Sequence, residues 1–338
     1  LARLFKRGSA AGLVNAVLRK VSQNKHALPP IPESDILRTL SIRYSHPRWL
    51  IKRLLPVLGP EETEEYLRIN NSVSPMTVQV NTMKTTLQAL RAQLEEAGIA
   101  VREHLWVPGC LELSGTGDLT ALPAFREGLF LVQDPAASLV SLAAQVTPGQ
   151  RVLDMCAAPG GKSFSAAIAM GDVGSIVSCD LHERKLSRIR EGAARLGITC
   201  LETAAADGRR FDPKWESGFD TVLVDAPCSG LGIIRKKPDV RYKKADDLFA
   251  LPVIQSALLE NAARYVRPGG LLVYSTCTIL PEENQQITDA FLAEHEEFER
   301  EAMLLPQPVG TVSDGQITLW PQRHQTDGFY ICRMRRHS

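Results

Sequence analysis

The apolar pattern changes character twice along the chain. Leu13, Val14, Val17, Leu18 and Val21 recur at helical spacing and predict an amphipathic helix over residues 9–22. A loop with Pro29, Pro30 and Pro32 comes next, then short helices over 47–58 and 60–70, the second opening on Pro60 at a first-turn position. From about residue 75 the pattern is mixed. Met76 to Asn81 alternates like a strand, and Leu87, Leu90 and Leu94 mark a helix that Gly98 stops. Stretches 99–105, 110–114 and 128–133 read as further strands, and a helix over 136–146 leads to Pro148-Gly149.

Residues 151–280 then alternate strand and helix, which implies a parallel sheet. Strands are expected at 151–155, 175–180, 199–204, up to Asp225 and up to Cys277, with helices over 163–170, 183–196 and 252–266. Pro281 opens another helix, and 315–320 and 328–335 read as closing strands. The expected fold class is α/β: a helical amino-terminal segment over 1–72, a small α+β subdomain over 73–147 and a sheet-and-helix domain over 148–338.

Composition adds limits. With 44% hydrophobic and 23% charged residues the chain is an ordinary globular one. No apolar run is long enough for a bilayer and no signal peptide is visible, so a cytoplasmic protein without membrane contact is expected. Leu1 stands where a methionine would, so a fragment is expected. The seven cysteines are scattered and form no C-x-x-C pair, which argues against a disulfide framework and against a metal site. Net charge is only +1, but residues 1–53 hold eleven Lys and Arg against Glu33 and Asp35. Among them are Arg3, Lys6 and Arg7. A second basic knot, Arg235, Lys236, Lys237, Arg241, Lys243 and Lys244, is opposed by Asp239 alone. Such clusters mark a polyanion partner, although a solvated helix face balanced by acids elsewhere has the same look.

The candidate chemistry lies at strand ends. Val222 to Val224 is an apolar run that ends in Asp225, after which come Pro227, Cys228, Ser229 and Gly230. Leu271 to Tyr274 is followed in the same way by Ser275, Thr276, Cys277 and Thr278. Each stretch is a buried strand with a cysteine just past its carboxyl end, where ligands of open α/β sheets bind. Were the strands neighbours, about 4.8 Å apart, both thiols would face one crevice. A free cysteine usually just packs, but the position and the small polar flanks of these two favour a functional reading.

After the first strand of the sheet domain, the turn Cys156-Ala157-Ala158-Pro159-Gly160-Gly161-Lys162 lets a ligand approach backbone N–H groups at a helix start. It matches neither the dinucleotide fingerprint nor the phosphate-loop pattern, which disfavours NAD and ATP. Asp180, Asp207 and Asp225 end or follow three strands and suit a ligand with hydroxyls, an amine and a cationic centre, as S-adenosylmethionine has. Any one Asp alone reads better as a loop or helix cap, and it is three at successive strand ends that shift the reading toward a ligand.

Six motifs then carry a resemblance: Val152 to Ser163, Asp225 to Gly230, Arg235 to Asp239, Tyr274 to Thr278, Pro281 to Asn284, and Asp327 to Tyr330. In this order they resemble the Nol1/Nop2/Sun family of RNA cytosine-C5 methyltransferases, over roughly residues 75 to 335. Gly12 to Arg19 resembles the last helix of the NusB-like domain in the family's bacterial Fmu/RsmB branch, which modifies small-subunit rRNA. The resemblance implies a Rossmann-like methyltransferase fold preceded by an RRM-like subdomain, S-adenosyl-L-methionine as cofactor and RNA as partner, with rRNA ahead of tRNA and a monomer expected. It implies a cofactor site at Cys156 through Lys162 with Asp180, Asp207 and Asp225, a nucleophile at Cys277, and a second cysteine, Cys228, that assists product release. Two positions depart from the family: Gln79 stands where Arg is usual and Ser163 where Thr is usual.

That chemistry has a physical logic. Cytosine C5 is too weak a nucleophile to take a methyl group directly, and a thiolate adding at C6 turns the ring into an enamine. A thiol of ordinary pKa is only about 3% ionised at pH 7, so the site must favour the anion. Lys162 would do so, and Asp225 would hydrogen-bond the amino and N3 edge of the base. The base must also leave its stack. DNA cytosine methyltransferases use a Pro-Cys dipeptide for the same step, so Pro227-Cys228 competes with Cys277 as nucleophile. Other readings are a tRNA cytosine methyltransferase and a catalytically silent RNA-binding assembly factor.

Overall fold

The computed structural model describes residues 8–27, 30–31 and 34–338. Arg3, Lys6, Arg7 and Glu33 of the basic segment, and Pro29 and Pro32 of the expected loop, lie outside the described residues. The chain divides into two compact units, Leu1–Val57 and Leu58–Ser338. In the first, helix Ala11–Asn24 buries none of its residues, and its apolar stripe stays in solvent, with Leu13 69% and Leu18 60% exposed. Asp35 caps the next helix, Ile36–Tyr44, by accepting the Arg38 N–H at 3.2 Å, and it pairs with Arg48 at 2.9 Å. A third helical stretch, Arg48–Asn70, breaks at Gly59, whose φ of 74° favours glycine. The expected division between helices 47–58 and 60–70 falls at this residue.

In the second unit the helical residues up to Asn70 lead into a four-stranded antiparallel sheet. Strands β1 (Met76–Val80), β2 (Ala100–Glu103), β3 (Cys110–Ser114) and β4 (Phe130–Val132) lie in the order β2-β3-β1-β4. Val78 faces Leu111 across one seam and Val132 across the other. One face packs on Leu90 and Leu94 of helix Leu87–Glu96, the period-four leucines read from the sequence. The order and the intervening helix are those of a ferredoxin-like subdomain. Buried Asn81, just past β1, donates to Gly128 O within the subdomain and to Leu196 O at the end of helix Glu183–Leu196, both at 2.9 Å.

That larger sheet is built on five parallel strands: β5 (Arg151–Asp154), β6 (Ser175–Asp180), β7 (Leu201–Ala205), β8 (Phe219–Asp225) and β9 (Val266–Thr276). After β10 (Phe298–Arg300) come a small ribbon of β11 (Met303–Leu304) with β12 (Thr311–Val312), then β13 (Gln316–Leu319) and β14 (Phe329–Arg336). The full order is β7-β6-β5-β8-β9-β14-β10, with β13 against β14. Successive residues of each central strand go to opposite faces. Val152, Ile176, Leu223 and Val273 lie under helices Pro135–Ala144, Gly161–Ala169 and Glu183–Leu196. Leu153, Val177, Val222 and Leu272 lie under Ala250–Tyr265 and Gln285–Glu294. Covering on both faces is why these strands read as unbroken apolar runs. β10, β11 and β12, two or three residues each, fall below the length at which alternation registers, and the sequence did not announce them. Among the described residues no helix is long and apolar enough to cross a membrane.

Candidate active site

Parallel strands expose their carboxyl ends along one edge, and most of the candidate residues gather there. Past β5 the chain folds back, with Ala157 N–H bonding Cys179 O at 2.7 Å and Gly160 N–H bonding Ala157 O at 2.6 Å. Gly160 has φ 112°, and a side chain there would meet the Phe164 ring at 2.4 Å, so only glycine fits the turn into helix Gly161–Ala169. Lys162 thereby starts the helix buried, 9% exposed, with its Nζ 2.6 Å from Asp225 Oδ2 and 5.2 Å from the centre of the Phe329 ring. Burial pulls its pKa down, but the Asp225 carboxylate outweighs this and holds the ammonium above its ordinary value. The other Asp225 oxygen accepts the Ser275 hydroxyl at 3.0 Å.

Behind this pair, Asp154 is 1% exposed and accepts the Ser163 hydroxyl at 2.7 Å, which in turn accepts from Ser178 at 2.8 Å. Burial pushes the Asp154 carboxyl up to about 6. Ser163 thus supplies the hydroxyl that Asp154 accepts. A cavity of about 350 Å³ opens in front, lined by Asp154, Cys156 through Pro159, Gly161, Lys162 and Asp225 on one side and by Gln133, Asp134, Lys236 and Asp327 on the other. Three buried polar atoms of its wall, Gln133 Nε2, Asp154 Oδ1 and Asp327 Oδ1, have no hydrogen-bond partner within the described residues. Buried polar groups are normally satisfied, so this cavity fits a polar ligand.

β8 and β9 are neighbours in the sheet, with Asp225 opposite Ser275. Their cysteines therefore meet: Cys228 Sγ lies 3.3 Å from Cys277 Sγ. The contact with Cys277 and then burial push the Cys228 thiol well above its ordinary pKa. The Cys277 sulfur is also within electrostatic reach of Lys162. Cys156 faces the cavity, and burial pushes its thiol up as well.

Asp180 and Asp207 stand outside this cavity's lining. Asp180 accepts the His182 N–H at 2.9 Å and pairs with Lys185 at 3.2 Å. Asp207 is held by Arg209 at 2.8 Å, a bond that lowers its carboxyl to about 2. Gln79, where the family usually has an Arg, accepts the Ser138 hydroxyl at 3.1 Å. The basic knot is divided between residues tied to the protein and residues open to solvent. Lys236 bridges Asp134 and Asp327, Arg241 is 6% exposed and bonds Asn71 at 2.7 Å, and Lys243 bonds Ser229 O at 2.7 Å. Lys237 and Lys244 face solvent. Sequence reasoning missed Asp134, Asp154, Asp327 and Glu283 as site residues. Asp154, Glu283 and Asp327 lie in three of the six family motifs, and Asp134 carries the signature of a helix cap, which it also is, accepting Ala136 N–H at 2.8 Å.

A sheet of this order with a ligand cavity at its switch point is the Rossmann-like fold of S-adenosylmethionine-dependent methyltransferases. Residues 141–335 match the family described as 16S rRNA methyltransferase RsmB/F, and residues 46–120 match its RsmF/B-like, ferredoxin-like domain. The chain is 38% identical to the probable ribosomal RNA small subunit methyltransferase B of Bacillus subtilis, across 99% of this chain and 76% of that protein. It is 36% identical to ribosomal RNA small subunit methyltransferase B of Klebsiella pneumoniae, across 98% of this chain and 74% of that one. A solved methyltransferase homolog from Pyrococcus horikoshii aligns with a TM-score of 0.76 at 27% identity, covering 90% of this chain and 100% of that one. The chain belongs to the 16S rRNA methyltransferase RsmB/F family.

Proposed function

We propose that this protein methylates C5 of cytosine in small-subunit rRNA, with Cys277 as nucleophile and S-adenosylmethionine as methyl donor. The observation that carries the reading is the 3.3 Å contact of Cys228 and Cys277 sulfurs beside the buried Lys162–Asp225 pair. The donor supplies an electrophilic methyl group. The glycine turn, the cavity wall and its unpartnered polar atoms are the features that would hold it, with Asp180 and Asp207 at the adjoining strand ends. Lys162, kept charged by Asp225, favours the Cys277 thiolate. That thiolate adds to C6, and Asp225 takes the amino edge of the base. After methylation a solvent water takes the C5 proton, the C5–H electron pair becomes the C5–C6 double bond, and the C6–S bond breaks with its electron pair returning to Cys277. The Cys228 thiol, held protonated, hydrogen-bonds the departing sulfur and speeds release. Residues 73–147 are assigned as an RRM-like subdomain and 148–338 as the catalytic domain. Residues 1–72 are assigned as a helical basic segment akin to a NusB-like RNA-binding domain, its part from residue 46 on being shared with the stretch that matches the ferredoxin-like domain.

The test uses Cys277→Ala and Cys228→Ala with S-adenosylmethionine, offering 16S rRNA fragments and tRNA side by side. Cys277→Ala should neither turn over nor form an adduct, and Cys228→Ala should accumulate a covalent RNA–protein species on a denaturing gel, with rRNA only. The reverse pattern would exchange the two roles, and preference for tRNA would change the substrate.

A further inference from the structure

The loops that carry the two cysteines have little regular structure to hold the sulfurs together. Residues 226–230 form neither helix nor strand, and the pairing of β8 with β9 ends at Ala226, whose N–H bonds Ser275 O at 2.9 Å. A buried carboxylate spans the gap. Glu283, 1% exposed, accepts the Ser229 N–H at 2.8 Å and Gln255 Nε2 at 2.9 Å on one oxygen, and the Thr278 hydroxyl at 3.4 Å on the other. Ser229 and Thr278 are the residues directly after Cys228 and Cys277, and their hydroxyls meet at 2.6 Å. Gln255 also donates to Pro227 O at 3.0 Å, just before Cys228. Ser229, Gln255 and Thr278 are fully buried.

Among the described residues no cation pairs with Glu283, so N–H and O–H donors alone carry its charge. Burying a charge is costly, and a neutral glutamine would avoid the cost. What the carboxylate supplies is acceptor capacity. Two oxygens accept from three donors, whereas an amide could keep the Ser229 and Gln255 bonds on its oxygen but would lose the Thr278 hydroxyl as a donor, that hydroxyl having to turn round to accept from the NH₂. Glu283 also contributes to keeping the Cys228 thiol protonated, after the contact with Cys277 and burial.

We infer that Glu283 is the positioning residue that sets the Cys228–Cys277 spacing and, through it, the release step. This rests on the two-thiol reading of the active site. The experiment compares wild type, Cys228→Ala, Glu283→Gln and Thr278→Val for adduct formation, methyl release and melting temperature. Glu283→Gln should form the adduct at close to the wild-type rate but release it more slowly by roughly ten- to hundredfold, the size of one lost charge-assisted buried hydrogen bond. Thr278→Val, which keeps its shape and loses only the hydroxyl, should shift in the same direction and supplies the answer should Glu283→Gln not fold. Wild-type partition in both variants, or a loss of every step in proportion to a lowered melting temperature, overturns the inference. Cys228→Ala separates the two levels: without adduct accumulation there, the two-thiol reading fails, and with it there but in neither variant, only the role of Glu283 fails.

Discussion

Removing either partner of the Lys162–Asp225 pair should have unequal cost. At 2.6 Å and an effective dielectric constant near 20, the gross attraction is about 6 kcal/mol. Desolvation of the two groups offsets much of that. Asp225→Asn leaves an ammonium only 10% exposed at the side chain, with the Phe329 face as residual support. An orphaned buried charge costs about 3–5 kcal/mol, of which a ring at that distance returns about 1. Lys162→Met leaves Asp225 better off. Its side chain is 30% exposed and keeps the Ser275 hydroxyl, so about 1–2 kcal/mol is expected. The double variant removes both charges and should resemble Lys162→Met, so that the cycle shows a coupling equal to the net cost of Asp225→Asn, about 2–4 kcal/mol. Urea unfolding followed by circular dichroism measures all four proteins. Equal losses in the two single variants, or a double variant whose loss is their sum, would refute the reasoning.

Buried groups at the same edge give two further outcomes. The Asp154 carboxyl titrates near 6 in the folded protein against about 3.9 when unfolded, so the folded state binds its proton more tightly. Stability is therefore lost as pH rises from about 4 to about 6, on the order of 3 kcal/mol, and Asp154→Asn should remove that slope. Melting curves between pH 4.5 and 8, with Asn and wild type diverging toward neutral pH, are the check, and parallel profiles would count against it. At Gly232 a Cβ would stand 1.9 Å from Gly328 O, where the Cys228 loop crosses the Asp327-Gly-Phe segment backbone to backbone. Gly232→Ala should cost about 2–3 kcal/mol in melting experiments and slow adduct formation, because Gly232 N–H also bonds Cys277 O at 3.0 Å. An unchanged melting temperature would show that the loops part without strain.

Local information was enough for much of the molecule. Apolar runs at Val222–Val224 and Leu271–Tyr274 announce strands covered on both faces, and Gly160-Gly161 announces a tight turn into a helix, because both are set by nearest neighbours along the chain. The placing of a cysteine after each of two strand ends is likewise a local fact. That β8 lies beside β9, so that the sulfurs touch, is a choice among strand orders that no local pattern encodes. The same holds for Lys162 and Asp225, 63 positions apart, and for Glu283, whose four-residue motif names no partner. The basic knot makes the point in reverse. A charge count cannot tell Lys236, whose ammonium is spent on Asp134 and Asp327, from its likewise exposed neighbour Lys237. Period and turn chemistry act over a few residues and are written in the sequence. Burial, pairing and shifted acidity depend on what long-range packing brings alongside, so only the tertiary structure decides them.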